Sequence, residues 1–300
     1  DELGLNEARR QIYEHYNSLK NESRLPSTDV IKFITDEFSP PDFSTAKEHD
    51  LEKDFIRSLS LKNWAETNLT SHRDSNHVIV SVSLKKPGST PGDATAKQMR
   101  VLADLAEQYA YDELRVSHEQ NVILPHVPKQ HIIKIYNKLN EADLATSNIG
   151  MVSDIISCPG MDYCKLATAR SIPIAKQIAT RFCELKTERD IGPLKIKMSG
   201  CINACGHHHV GHIGILGLDR GGVENYQITL GGDGTEDAHI GKCIGPGFSA
   251  DKLIKAIEAI INVYLNDRKN RNETFLNFYR RVGLSPFKLA IYGLPGFAYF

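Results

Sequence analysis

The 300-residue chain lacks most of the features that declare a protein's class at first sight. It has six cysteines, too few for a disulfide scaffold. Its formal net charge is −1, so no global basic field calls for nucleic acid and no acidic block marks a solvating tail. No apolar run approaches the ~18 residues needed to cross a bilayer, and the opening DELGLNEARR has no signal-peptide pattern. Nucleic-acid, membrane and disulfide-stapled classes are thereby set aside, and a cytoplasmic protein is expected. What is present, 41% apolar and 24% charged residues, is ordinary globular usage with length for one large or two average domains.

Two helical patterns open the chain: Ile12, Tyr13 and Tyr16 share one face, and a Pro-Ser-Thr-Asp entry at 26–29 leads into Val30, Ile31, Phe33 and Ile34. FSPPDFSTAKEHD reads as the start of a linker, and 46–70 is assigned to it. From residue 71 the pattern is strand (HVIVSVSL), loop, helix (AKQMRVLADLAEQY), strand (ELRVSHEQNVILPHV) and helix (KQHIIKIYNKLNEA), which over 71–147 predicts a small split α+β sandwich.

Beyond residue 148, MVSDIIS predicts a strand running into CPGMDYC, and KLATARSIPIAKQIATRFCEL a helix with a proline inside. PLKIKMSGC is a second strand entering a cysteine loop, followed by a hairpin over HIGILGLDRG and ENYQITLGG. A long helix, ADKLIKAIEAIINVYLNDR, has sustained i, i+3, i+4 apolar spacing. It and the Phe-rich stretch after it loosely echo residues 12–38, as a duplication would.

Four cysteines fall in two pairs, Cys158 with Cys164 (C-x5-C) and Cys201 with Cys205 (C-x3-C), each after a strand-like segment at a Gly- or Pro-containing turn. Two such loops can face each other and bring four thiolates to one point, with helix N-termini favouring the anionic form. Four histidines, His207, His208, His209 and His212, follow at once. Zinc competes with an iron–sulfur cluster here, because Cys201, Cys205, His207 and His209 have ligand types that suit it. Unligated core or redox cysteines are the third reading. Cys183 and Cys243 lie outside the pattern as ordinary thiols, and GGDGTEDAHIG lacks the spacing of a phosphate loop.

CPGMDYC followed by GCINACGHHHVGHIGILG strongly resembles the signature of the sirohaem-dependent nitrite and sulfite reductases. LRVSHEQNVILPHV looks like that family's second ferredoxin-like half-domain, and YRRVGLSPFKLAIYG like its C-terminal end. The resemblance implies an α+β fold, a ferredoxin-like half-domain followed by a mixed α/β sirohaem/[4Fe-4S]-binding domain over 148–300. It makes Cys158, Cys164, Cys201 and Cys205 ligands of a [4Fe-4S] cluster, with Cys205 bridging to the sirohaem iron. Arg115, His118 and Gln120 fall on the stretch whose family counterpart faces the cofactor, and Asn203 is expected to fix the second cysteine loop. Lys195 and Lys197 alternate on one face of the preceding strand. The histidines then become supporting groups, and Gly206, Gly211 and Gly214 permit close backbone approach to a large cofactor.

The implied activity is the six-electron reduction of sulfite to sulfide or nitrite to ammonia, with ferredoxin or a flavoprotein as donor. Members of that family are pseudo-symmetric and roughly twice this length. Residues 1–45 are expected to be trailing helices of a missing N-terminal half, which the absence of an initial methionine also suggests. Alone, the chain is expected to present the cluster loops without binding sirohaem tightly or turning over. An iron–sulfur or zinc module without haem is the alternative.

Overall fold

The computed structural model describes residues 3–20 and 26–293, and its contacts divide the chain into two units at Thr45. The first unit contains helix α1 (Gly4–Leu19) and helix α2 (Thr28–Glu37), the latter started by Ser27, whose hydroxyl accepts the Val30 N–H. Both helices form as their periodicity predicts, yet none of their described residues is buried.

The second unit starts with a correction. The stretch 46–70, read as linker, is helix α3 (Leu51–Arg57), helix α4 (Leu59–Asn68) and the beginning of strand β1 (Leu69–Ser71). Asp50 and Ser58 cap the two helices through the N–H groups of Glu52 and Leu61. Leu61, Trp64, Ala65 and Asn68, at i, i+3, i+4 and i+7, are all buried. The apolar spacing was there to be read, and the prolines before it masked it.

Strands β2 (His77–Val82), β3 (Arg115–Val116) and β4 (Val122–Pro128) complete an antiparallel sheet in the order β1-β2-β4-β3. The single strand expected over 113–127 is thus a hairpin that turns at Ser117–Asn121. Helices α5 (Ala96–Tyr109) and α6 (Ile132–Glu141) share one core with α4 and the sheet. Thr95 and Gln98 form a full capping box at the start of α5.

The second sheet is mixed. Strand β5 is only Ile156–Ser157; it pairs in parallel with β6 (Ile196–Ser199), and β6 pairs in parallel with β7 (Ile213–Arg220). Between them run α7 (Ile172–Leu185), which begins later than its sequence pattern and places Pro173 in its first turn, and the short α8 (Glu188–Ile191). The antiparallel strands β8 (Val223–Leu230) and β9 (Lys242–Cys243) close the order β5-β6-β7-β8-β9. All four residues of β6 are buried, as a central strand covered on both faces requires. Helices α9 (Ala250–Asp267), α10 (Phe275–Val282) and α11 (Ser285–Tyr292) and α7 contribute to the core of this sheet.

Candidate metal and cofactor site

Parallel pairing sets the positions of the two buried cysteines. Ser157 lies opposite Met198, so Cys158 leaves the end of β5 beside the end of β6, and Cys201 follows two residues past that end. The loops are stitched together. The Gly200 N–H donates to Cys158 Sγ at 3.1 Å, and the N–H groups of Thr168 and Ala169 donate to Gly200 O at 2.9 and 3.0 Å. A Cβ on Gly200 would come within 2.6 Å of Ala169 O and 3.0 Å of Gly160 Cα, so the contact requires glycine.

Cys158 and Cys201 are buried, Cys164 is half-buried and Cys205 is exposed. Among the described residues, no group of three or more His, Cys, Asp or Glu side chains is close enough to hold a metal. The loops are adjacent, but the four sulfurs are not gathered, and the mixed Cys/His set considered for zinc is not gathered either. Nor do full helices begin at the cysteines. Each loop leads into a single 3-10 turn, Gly160–Asp162 or His208–Val210, and α7 starts eight residues after Cys164.

The donor set nonetheless suits an iron–sulfur cluster: thiols on two apposed loops, with a backbone N–H already directed at one sulfur. Around them lies apolar surface that no described residue covers. Tyr163 is 80% and Ile202 76% exposed, and Leu166 is exposed as well. A cavity of about 820 Å³ adjoins the first loop, lined by Met99, Leu114 and Val116 of the half-domain and by Ser157, Pro159 and Tyr163. That volume is in the range of small-molecule sites, and Asp93, Gln120 and Asn121 are among the polar groups of its lining.

The remaining expected residues divide. Arg115 is exposed and donates through Nε to Glu113 at 2.6 Å, and the side chain of His118 is 74% exposed. Neither is directed at a buried partner. Gln120 spends both ends of its amide on the Ser157 backbone. Asn203 is exposed, and its turn is closed by backbone bonds instead, Ala204 N–H to Cys201 O and His207 N–H to Ala204 O. The glycines serve the chain's own packing. A Cβ on Gly206 would lie 1.8 Å from Met198 O, and one on Gly214 2.0 Å from His208 O.

Sequence reasoning missed a buried polar network between the half-domain and the β5–β6 strands. Lys85 Nζ meets Asp154 Oδ1 at 2.7 Å, with both side chains almost fully buried, and also donates to Glu119 O. Asn121 Nδ2 donates to Asp154 Oδ1 at 3.1 Å. Lys195 Nζ meets Glu119 Oε1 at 2.6 Å. Burial pushes the Glu119 pKa up, but Lys195 outweighs it and holds the carboxyl below its usual range. Lys197 is buried on β6, and desolvation draws its pKa down against the opposing pull of Glu119. The signal for this network was a lysine in a loop and a carboxylate before a strand, which no periodicity distinguishes from solvated charge.

Of the histidines, His207 and His209 are exposed and His208 is buried, its ring 4.0 Å from that of His209. His212 Nδ1 accepts the Lys195 N–H at 3.1 Å. Burial lowers His208 and His212 from 6.5 to about 4. Both groups bind protons more readily in the unfolded chain, so their contribution to stability is complete above pH 6.5 and is lost as pH falls toward 4. Each accounts for about 3 kcal/mol at most. Urea unfolding of the cofactor-free chain from pH 7.5 to 4.5 is expected to show this loss, and His212→Asn to flatten it; a pH-independent midpoint would contradict the assignment.

Comparison with known proteins follows the same division of the fold. Residues 75–142 match the nitrite/sulfite reductase ferredoxin-like half domain, and residues 150–293 match the nitrite and sulphite reductase 4Fe-4S domain. A ferredoxin–nitrite reductase of Synechococcus elongatus is 30% identical over 57% of this chain and 34% of its own length. A sulfite reductase [ferredoxin] of Mycolicibacterium paratuberculosis is 26% identical over 64% of the chain and 36% of its own. The NirA protein of Mycobacterium tuberculosis shares the fold, with a TM-score of 0.61 and 20% identity over 74% of this chain and 41% of that one. The chain belongs to the sirohaem-dependent nitrite/sulfite reductase family, oxidoreductases whose cofactors are sirohaem and a [4Fe-4S] cluster. It spans about a third of the length of the curated relatives named here. Among the described residues no helix is long and apolar enough to cross a membrane.

Proposed function

We propose that the chain carries the cluster-binding part of a reductase that converts sulfite to sulfide, or nitrite to ammonia, by six electrons. Cys158, Cys164, Cys201 and Cys205 would hold the [4Fe-4S] cluster, and the Cys205 thiolate would be shared with the sirohaem iron. The observation that carries this reading is the parallel β5–β6 pair, which delivers Cys158 and the Cys201 loop side by side with Gly200 N–H on Cys158 Sγ. Bound there, the coupled cofactors supply a one-electron relay and an iron that takes the oxyanion.

The chain's own residues have simpler tasks. Cys205, exposed where Cys201 is buried, would serve two metals, and the exposed Tyr163, Leu166 and Ile202 would give the macrocycle's ring an apolar seat. Protons for the reduction need positioned cations or ordered water. A ferredoxin or flavoprotein donor is the partner this reading implies, and the relatives from Synechococcus and Mycolicibacterium are named for ferredoxin.

Anaerobic reconstitution with iron and sulfide, followed by sirohaem titration, tests the assignment. About four irons per chain are expected for the cluster, with sirohaem bands appearing only at high sirohaem concentration, since the chain alone is expected to hold that group weakly. Cys205→Ser should abolish the magnetic coupling between haem and cluster. Full coupling in Cys205→Ser would overturn the bridge. A broad brown absorbance that never acquires haem bands would favour an electron carrier, and zinc without iron a structural module.

A further inference from the structure

The turn joining β3 to β4 contains a residue that its backbone geometry disfavours. Ser117 N–H donates to Asn121 O at 2.8 Å and Gln120 N–H to Ser117 O at 3.1 Å, which places Gln120 at φ +59°. Left-handed backbone favours glycine or asparagine, and another residue there is strained by about 1 kcal/mol or more. Glutamine earns nothing for the turn itself. Its side chain has a use elsewhere.

Gln120 Nε2 donates to Ser157 O at 2.8 Å, and Gln120 Oε1 accepts the Ser157 N–H at 3.0 Å. Strand β5 lies at the end of its sheet, bonded to β6 along one side only. On its open side the Gln120 amide takes the place of a neighbouring peptide group and satisfies the donor and acceptor that an edge strand leaves bare. Gly92 keeps the side chain in line, since a Cβ there would lie 3.2 Å from Gln120 Cβ. The flanking residues grip the same region: Asn121 bonds Asp154, and Glu119 bonds Lys195 at the entry to β6. Of the three, only Gln120 bonds the residue next to Cys158.

We propose that Gln120 is a positioning residue, a two-pronged latch from the half-domain that holds the end of β5 and so places the Cys158 sulfur for its metal. The proposal rests on the reading of Cys158 as a cluster ligand, and its test is made on cluster-free protein so that the two can fail separately. Q120G removes the side chain while relieving the left-handed strain, so the turn itself should not suffer. Alkylation by iodoacetamide, followed at each cysteine by mass spectrometry, is expected to run about tenfold faster at Cys158 in Q120G, the size expected for losing two local hydrogen bonds. Cys201, also buried, should change less than about twofold, whereas general loosening would speed both alike. Q120E, which keeps the acceptor and loses the donor, should fall between. An unchanged Cys158 rate in Q120G, or equal acceleration at Cys158 and Cys201, would overturn the latch. Wild-type chain that takes up no iron while Q120G still unmasks Cys158 would support the latch and sink the ligand assignment.

Discussion

Asp154→Ala is expected to destabilise the chain by about 3–5 kcal/mol, a large share of the stability of a typical domain. The carboxylate receives Lys85 Nζ at 2.7 Å, Asn121 Nδ2 at 3.1 Å and the Gly150 N–H at 2.8 Å, with 3% of its side chain exposed. Truncation leaves an ammonium group 1% exposed with its counter-charge gone. The cost comes from the stranded charge rather than from the worth of the pair. Replacing both partners, Lys85→Met with Asp154→Leu, should therefore recover part of the loss, the remainder being the Asn121 and Gly150 N–H donors left without their acceptor. Urea midpoints for the two single variants and the double variant measure this directly. A single substitution costing under about 1 kcal/mol would mean that water reaches the pair and screens it.

The network around Asp154 also marks how far the sequence could be read. Helices α5, α6 and α9, the β7–β8 hairpin and the two cysteine loops were all legible, because each is written in local spacing: a period of 3.6, a period of 2, or a C-x3-C turn. The family resemblance rested on the same local text and agrees with the matched families. What stayed hidden was written across distance. Lys85 and Asp154 are 69 positions apart and Gln120 and Ser157 are 37 apart, as their numbers show, and neither partner looks unusual alone. Gln120, expected to face the cofactor, bonds the backbone of Ser157 beside Cys158, a partner that local spacing does not reveal. The 46–70 stretch failed differently, since two prolines before it outweighed a clear helical face at Leu61, Trp64, Ala65 and Asn68. In the histidine-rich run, expected to supply supporting groups, His208 is packed against His209 and His212 accepts from the backbone of Lys195.

Gly206→Ala should have the other large effect, and should separate fold from metal site. The Cβ it adds would lie 1.8 Å from Met198 O and 2.6 Å from Met198 C, backbone atoms of the buried strand β6 that no rotamer change can move aside. Either β6 or the turn after Cys205 must shift, and overpacking of this kind costs about 1–3 kcal/mol, occasionally more. The turn is the softer choice, because it is held by the Gly206 N–H to Ser199 Oγ bond at 3.1 Å and by single backbone bonds at Ala204 and His207. Moving it displaces Cys205. Gly206→Ala is accordingly expected to lower the urea midpoint by an amount matching about 3 kcal/mol and to reduce iron uptake on reconstitution more than Asp154→Ala does at equal stability. Gly234→Ala is the control, since its Cβ would meet nothing nearer than Val210 at 3.5 Å and should leave both readings within error. Normal stability and iron loading in Gly206→Ala would show that the strand and the turn are not in the close contact that seats the second cysteine loop.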